Sequence, residues 1–135
     1  MKIYTQVQKN KFNTYVGVVL VGDKDQIYMM NGNQLQTNNE LSAHLYGIKR
    51  ALSFVKFNKP LHANNDIEYH TSIKDDNISE LKSLIDKDEY INRFLSEKNI
   101  QLNIEKSKTD FDNQMNLIAQ HQIKFYNNTF RGIER

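Results

Sequence analysis

Cysteine is absent from these 135 residues, which excludes disulfides and thiolate metal sites and is compatible with a reducing compartment. Tryptophan is also absent, proline occurs once and glycine five times, and no repeat or linker interrupts the chain. Neither sign of charge dominates: Lys and Arg number 18 against 16 Asp and Glu, a formal +2 that argues by itself for neither nucleic acid nor membrane. Long apolar runs are missing too. The longest, around Val18 to Val21, is far short of the ~20 residues of a membrane span. Met1-Lys2-Ile3-Tyr4 opens no signal-peptide apolar core, so a cytoplasmic protein without a membrane partner is expected. What is present, 39% hydrophobic and 25% charged residues at a mean hydropathy of -0.70, suits one globular domain over residues 1–135 with a genuine core. Asn and Lys are unusually frequent, which fits an AT-rich coding genome and offers an easy route to Asn wherever chemical constraint has lapsed.

The first third reads as three strands. Lys2 to Gln8 alternates with period two, Tyr15 to Val21 is rich in β-branched residues, and Gln26 to Met30 follows a Gly22-Asp23-Lys24-Asp25 turn. Asn31-Gly32-Asn33 is expected to break the sheet. A helix then starts behind Thr37, Asn38 and Asn39, with Glu40 in its first turn and an apolar stripe of Leu41, Leu45, Ile48, Leu52 and Val55. Gly47 inside it costs about 1 kcal/mol against Ala, which close packing against the sheet would explain. Asn58-Lys59-Pro60 ends the helix, Leu61 to Asn64 reads as a short strand, and Asp66 to Lys74 as a short helix. Asp75-Asp76-Asn77 reads as a cap-rich break, and beyond it Ile78 to Lys98 has helical spacing as one broken helix or two. Asn99 to Lys106 alternates as a strand, and Phe111 to about Tyr126 forms a last helix.

This order, with the segments Ile3-Tyr4-Thr5-Gln6, Asn38-Asn39-Glu40-Leu41, Leu61-His62-Ala63-Asn64-Asn65 and Asn113-Gln114-Met115-Asn116-Leu117, resembles the type 1 ribonuclease H family. The first hairpin (Thr14-Tyr15-Val16-Gly17-Val18-Val19-Leu20), the Glu40-Leu41 helix with its Gly47, and Ser107 to Asn116 extend the likeness over nearly the whole chain. The resemblance implies an α/β fold: a five-stranded mixed sheet, an antiparallel β1-β2-β3 meander followed by parallel β4 and β5, flanked by helices. It also implies where that family's Asp, Glu, Asp and Asp would hold a pair of divalent metals. The series here is Gln6, Glu40, Asn64 and Asn116, with Ala63 and Asn65 as neighbouring registers for the third, and Lys106 stands where the family often has His.

These exchanges matter through charge. Two magnesium ions about 4 Å apart need anionic oxygens to offset their mutual repulsion. The amides reduce the formal charge of the four positions from about −4 to about −1, and each lost charge near 4 Å is worth about 4 kcal/mol of attraction at an effective dielectric of 20. A degenerate, catalytically inactive member without metal cofactor is the resulting expectation. Such a chain would serve as a binding module for an RNA/DNA hybrid, for structured RNA or for a protein.

Two alternatives stand beside it. One is an active Mg²⁺- or Mn²⁺-dependent nuclease in which Glu40 works with relocated Asp66, Asp110 or Asp112, or shares a replacement site with His44 one turn away. The other is a homodimeric structural or regulatory protein. For nucleic-acid contact the candidates are Asn38 and Asn39, whose family counterparts touch the minor groove and its 2′-hydroxyls, together with Lys106 and Lys108, and Lys9 and Lys11 on the first hairpin. Helix capping explains the two asparagines equally well, and a solvated face explains the lysines.

Overall fold

The computed structural model describes residues 1–58, 61 and 65–133, with side chains described as far as Lys124. The elements run β1 (Lys2–Lys9), β2 (Thr14–Val21), β3 (Ile27–Leu35), α1 (Glu40–Phe57), β4 (Ile67–Thr71), α2 (Asp75–Lys87), α3 (Glu89–Lys98), β5 (Leu102–Lys106) and α4 (Asp110–Ile133). They build the expected five-stranded mixed sheet, in the order β3-β2-β1-β4-β5. The meander β1-β2-β3 is antiparallel, whereas β1 pairs with β4, and β4 with β5, in parallel.

Helices cover both faces. α1 lies on β1 and β2, with α2 and α3 behind it, and α4 crosses β1, β2 and β3 on the other side. Side chains of β1 and β2 divide by pleat: Ile3, Val16, Val18 and Leu20 join the α1 core, while Tyr4, Val19 and Val21 join Met115 and Ala119 of α4. Every residue of β2 is therefore buried, which is why that strand reads as a continuous apolar run rather than an alternation.

Three sequence expectations need correction. Asn31-Gly32-Asn33 does not break the sheet. It continues β3 opposite Val18, Gly17 and Val16, because an edge strand solvates its polar side chains without losing its ladder. Asp66 to Lys74 is not a helix: Ile67–Thr71 within it is the fourth strand, while His62 to Asn64 of the expected strand fall outside the described residues. Its alternation of Ile67, Tyr69 and Thr71 with Glu68 and His70 is a period-two signal, and the proline-marked helix end just upstream drew the strand expectation too early. Asp75 and Asp76 are not a break but the acidic first turn of α2, where the helix dipole favours them. The two-helix alternative for Ile78 to Lys98 holds, with Asp88 capping α3 by accepting from the Ile91 amide. Asn64 and Ala63 fall outside the described residues, as do the side chains of Tyr126 and Phe130.

Two glycines set the helix-to-sheet distances. A Cβ at Gly17 would meet the Ala119 carbonyl oxygen at 1.8 Å, and one at Gly47 would meet the Thr5 Cγ2 methyl at 2.7 Å. The obstacle at Gly17 is the backbone of a packed helix, whereas at Gly47 it is side-chain methyls. Gly17→Ala is therefore expected to lower the unfolding free energy by about 3 kcal/mol or more. Gly47→Ala should cost less, because helix propensity returns about 1 kcal/mol. Urea midpoints of the two variants check the order.

Candidate functional site

Parallel register places the end of β4 beside the middle of β1. Tyr4 is opposite His70, so two residues further on Gln6 reaches Ser72, just past the end of β4. The Gln6 amide nitrogen donates to Ser72 Oγ at 2.8 Å and to Asn116 Oδ1 at 3.3 Å, and Asn116 Nδ2 donates to Ser107 Oγ at 3.0 Å. An uncharged bridge thus ties β1, the β4 end, the loop after β5 and α4 together. A cavity of about 290 Å³ opens beside it, lined among others by Gln6, Glu40, His44, Ser72, Lys74 and Asn77. Among the described residues Glu40 is its only lining carboxylate, and it is exposed at the start of α1. The residue that parallel register sets beside Gln6 is Ser72, whereas Asn64 lies outside the described residues. Asn65 lies in an exposed bend ahead of β4, at the opposite end of that strand from Ser72.

The other candidates are placed as follows. Asn39 spends its side-chain oxygen on capping α1, accepting from the Ser42 amide at 3.0 Å, while Asn38 is exposed and its carbonyl accepts from Lys9 Nζ. Lys106 ends β5 in an ion pair with Asp75, and the Lys108 backbone amide donates to Asp112. The relocated carboxylates do not gather at Glu40. Asp66 precedes β4, at the end remote from Ser72, and accepts from the Gln101 amide at 2.8 Å. Asp110 begins α4 as an exposed residue, and Asp112 is buried in contacts of its own. Among the described residues, no three His, Asp or Glu side chains are grouped to hold a metal ion.

Sequence reasoning missed one cluster. Asp112 Oδ1 accepts from the Tyr4 hydroxyl at 2.6 Å and lies 3.2 Å from His70 Nδ1, while His70 Nε2 is 2.7 Å from Glu68 Oε1. Asp112 Oδ2 accepts from the Lys108 and Thr109 amides, and Thr109 Oγ1 accepts from the Asp112 amide in return. Burial opposes ionisation of Asp112, but the bonds from Tyr4, Lys108 and Thr109, with the His70 charge, outweigh it and hold the carboxyl well below its usual range. Burial, then the Asp112 carboxylate, pushes the Tyr4 phenol well above its usual range. Thr109-x-x-Asp112 is a capping box visible in the sequence; Tyr4 and His70 as its partners are not.

His44 forms a second buried group. Thr5 Oγ1 is 2.7 Å from its Nδ1 and 2.5 Å from the Tyr69 hydroxyl. Burial pushes His44 down to about 4, and pushes Tyr69 up to about 12. A neutral imidazole is what a nearly sealed site without a counter-charge can hold.

No family profile and no curated protein sequence matches this chain. Solved structures do match, and they define the class as a ribonuclease H-like fold. Ribonuclease H1 of the halophilic archaeon Halobacterium salinarum is 12% identical with a TM-score of 0.57, the match covering 91% of this chain and 96% of that one. LC11 ribonuclease H1, from a compost metagenome and solved in complex with an RNA/DNA hybrid, is 14% identical with a TM-score of 0.59, covering 93% and 97%. The prototype foamy virus protease-reverse transcriptase is 14% identical with a TM-score of 0.56, the match covering 90% of this chain and 20% of the viral one. At such identities the likeness establishes the fold.

His44 titration gives a pH prediction. Between about pH 6.5 and about 4 the unfolded chain binds a proton that folded His44 refuses, so stability falls as pH falls, by about 3 kcal/mol across that window. Asp112 acts lower: its depressed folded pKa contributes stability that is lost only as pH drops below the ordinary carboxylate range. Urea midpoints near pH 7 and near pH 4.5 should differ strongly in the parent and much less in His44→Gln.

Proposed function

We propose that this chain is a catalytically inactive ribonuclease H-like protein that binds a duplex containing RNA, an RNA/DNA hybrid or a structured RNA. The observation that carries the inactive reading is the amide bridge. Gln6 donates to both Ser72 and Asn116 beside the end of β4, where ribonuclease H chemistry needs carboxylates turned towards metal. The donor set does not fit a pair of magnesium ions. One exposed carboxylate, two amides and a hydroxyl carry about −1 of charge, and hard divalent cations take anionic oxygens. No step is routed through metal here.

The duplex reading is supported by the fold, by a structural neighbour solved with a hybrid, and by the β1–β2 hairpin. Its tip displays Phe12, 80% exposed, beside Lys11, and Asn10 Oδ1 accepts from the Phe12 and Asn13 amides to hold the turn. Lys9, on the same hairpin, reaches the Asn38 carbonyl at the entrance to α1. Two lysines and an aromatic ring beside a polar cavity suit phosphate contact and groove insertion.

The protein should retain a labelled hybrid or hairpin RNA without cleaving it in Mg²⁺ or Mn²⁺, with affinity falling as salt rises. Lys9→Glu with Lys11→Glu should weaken retention at least tenfold. Cleavage abolished by Glu40→Gln would overturn the inactive reading. Failure to retain either duplex would favour a protein partner or self-association instead.

Charge restoration makes a sharper test. Gln6→Asp, Ser72→Asp and Asn116→Asp together, beside the existing Glu40, are expected to create calorimetrically detectable Mg²⁺ binding absent from the parent. A folded triple variant with no heat of binding would show that these four positions do not form the pocket.

A further inference from the structure

The outer face of α1 carries a second surface remote from that site. Two adjoining hollows, of about 290 and 200 Å³, share Arg50 and Phe57 as walls. Tyr46, Lys49 and Tyr90 line the larger one. Phe57 is 75% exposed and Tyr46 37%, unusual for large apolar rings on a small protein. Tyr90 contributes its ring, since its hydroxyl is tucked away from solvent. Cations surround these rings. Lys56 Nζ stands 5.9 Å from the Phe57 centroid and 5.6 Å from that of Tyr90, and Lys49 stands 5.9 Å from Tyr90. Lys49 is neutralised by Asp88 at 3.1 Å, whereas Arg50 and Lys56 have no carboxylate partner among the described residues.

We propose that this face binds single-stranded nucleic acid, unpaired bases stacking on Phe57 and Tyr46 while phosphates meet Arg50 and Lys56. The chemistry selects the occupant. A duplex keeps its base faces stacked on one another and would leave the rings unused. An acidic protein segment would satisfy the cations but not the ring faces. An unpaired strand uses both, and stacking is tolerant of sequence. Phe57 ends the helix that Glu40 begins, about 25 Å away along its axis, so this surface does not depend on the duplex reading.

Fluorescence anisotropy with labelled oligothymidylate and oligouridylate tests the proposal. Binding is expected at low salt, about tenfold weaker in Phe57→Ala. Arg50→Ala with Lys56→Ala should lower the slope of log affinity against log salt by about 1.4. Lys9→Glu with Lys11→Glu should leave oligothymidylate binding intact, which separates this surface from the hairpin. The Phe57 and Arg50 side chains are exposed, and circular dichroism verifies that the variants fold. Absence of oligonucleotide binding, binding indifferent to these variants, or capture of an acidic peptide but not of either oligonucleotide would each overturn it.

Discussion

Strand β1 pairs on both edges and is covered on both faces, and the arrangement of everything else follows from that confinement. Its antiparallel partner β2 and parallel partner β4 fix its register, α1 lies on one face, and α4 crosses the other. The helices come close enough to bury β2 completely because Gly17 and Gly47 present no side chain to them. The same register puts Gln6 beside Ser72 and leaves the N-terminus of α1 and the early turns of α4 at one end of the sheet. A slip of one residue would exchange the two faces of the strand, so burial on both sides pins the site's geometry.

Hydrogen bonds among amides and hydroxyls join Gln6, Ser72, Asn116 and Ser107. One turn earlier on α4, Asp112 is strongly acidic, yet both its oxygens are occupied by Tyr4 and by the amides that it caps. A carboxylate so engaged stabilises the helix start and the sheet beneath it, and has no oxygen to spare for a cation. His44 makes the parallel case on the other face: it lines the cavity, but burial keeps it neutral. Ionisable groups near this cleft thus serve the fold, and the cleft itself offers hydrogen bonds with little charge.

Our proposal that this cleft serves recognition rests on charge. Phosphodiester hydrolysis by paired metals depends on concentrated negative charge, whereas recognition of a ribose-containing duplex depends on polar contacts and flanking cations. The hairpin lysines and the polar cavity are the features on which the proposed duplex recognition rests. Cations elsewhere in the chain cluster with exposed aromatic rings on α1, where the sheet and the cleft make no demand on them.

Much of this was legible from local pattern. The meander, the stripe and cap of α1 and the β5 alternation all follow from periodicity and residue type, since those signals act within a few residues. The place of Ser72 was not legible: only the pairing of β4 with β1 sets it beside Gln6. Asn31-Gly32-Asn33 reads as a turn until its edge position is known. The sequence alone determined the first strands of the meander, helix α1, strand β5 and the start of α4. Tertiary structure alone decided which side chains meet across 66 to 110 residues of chain, because those contacts depend on strand register and helix placement, which no local propensity encodes.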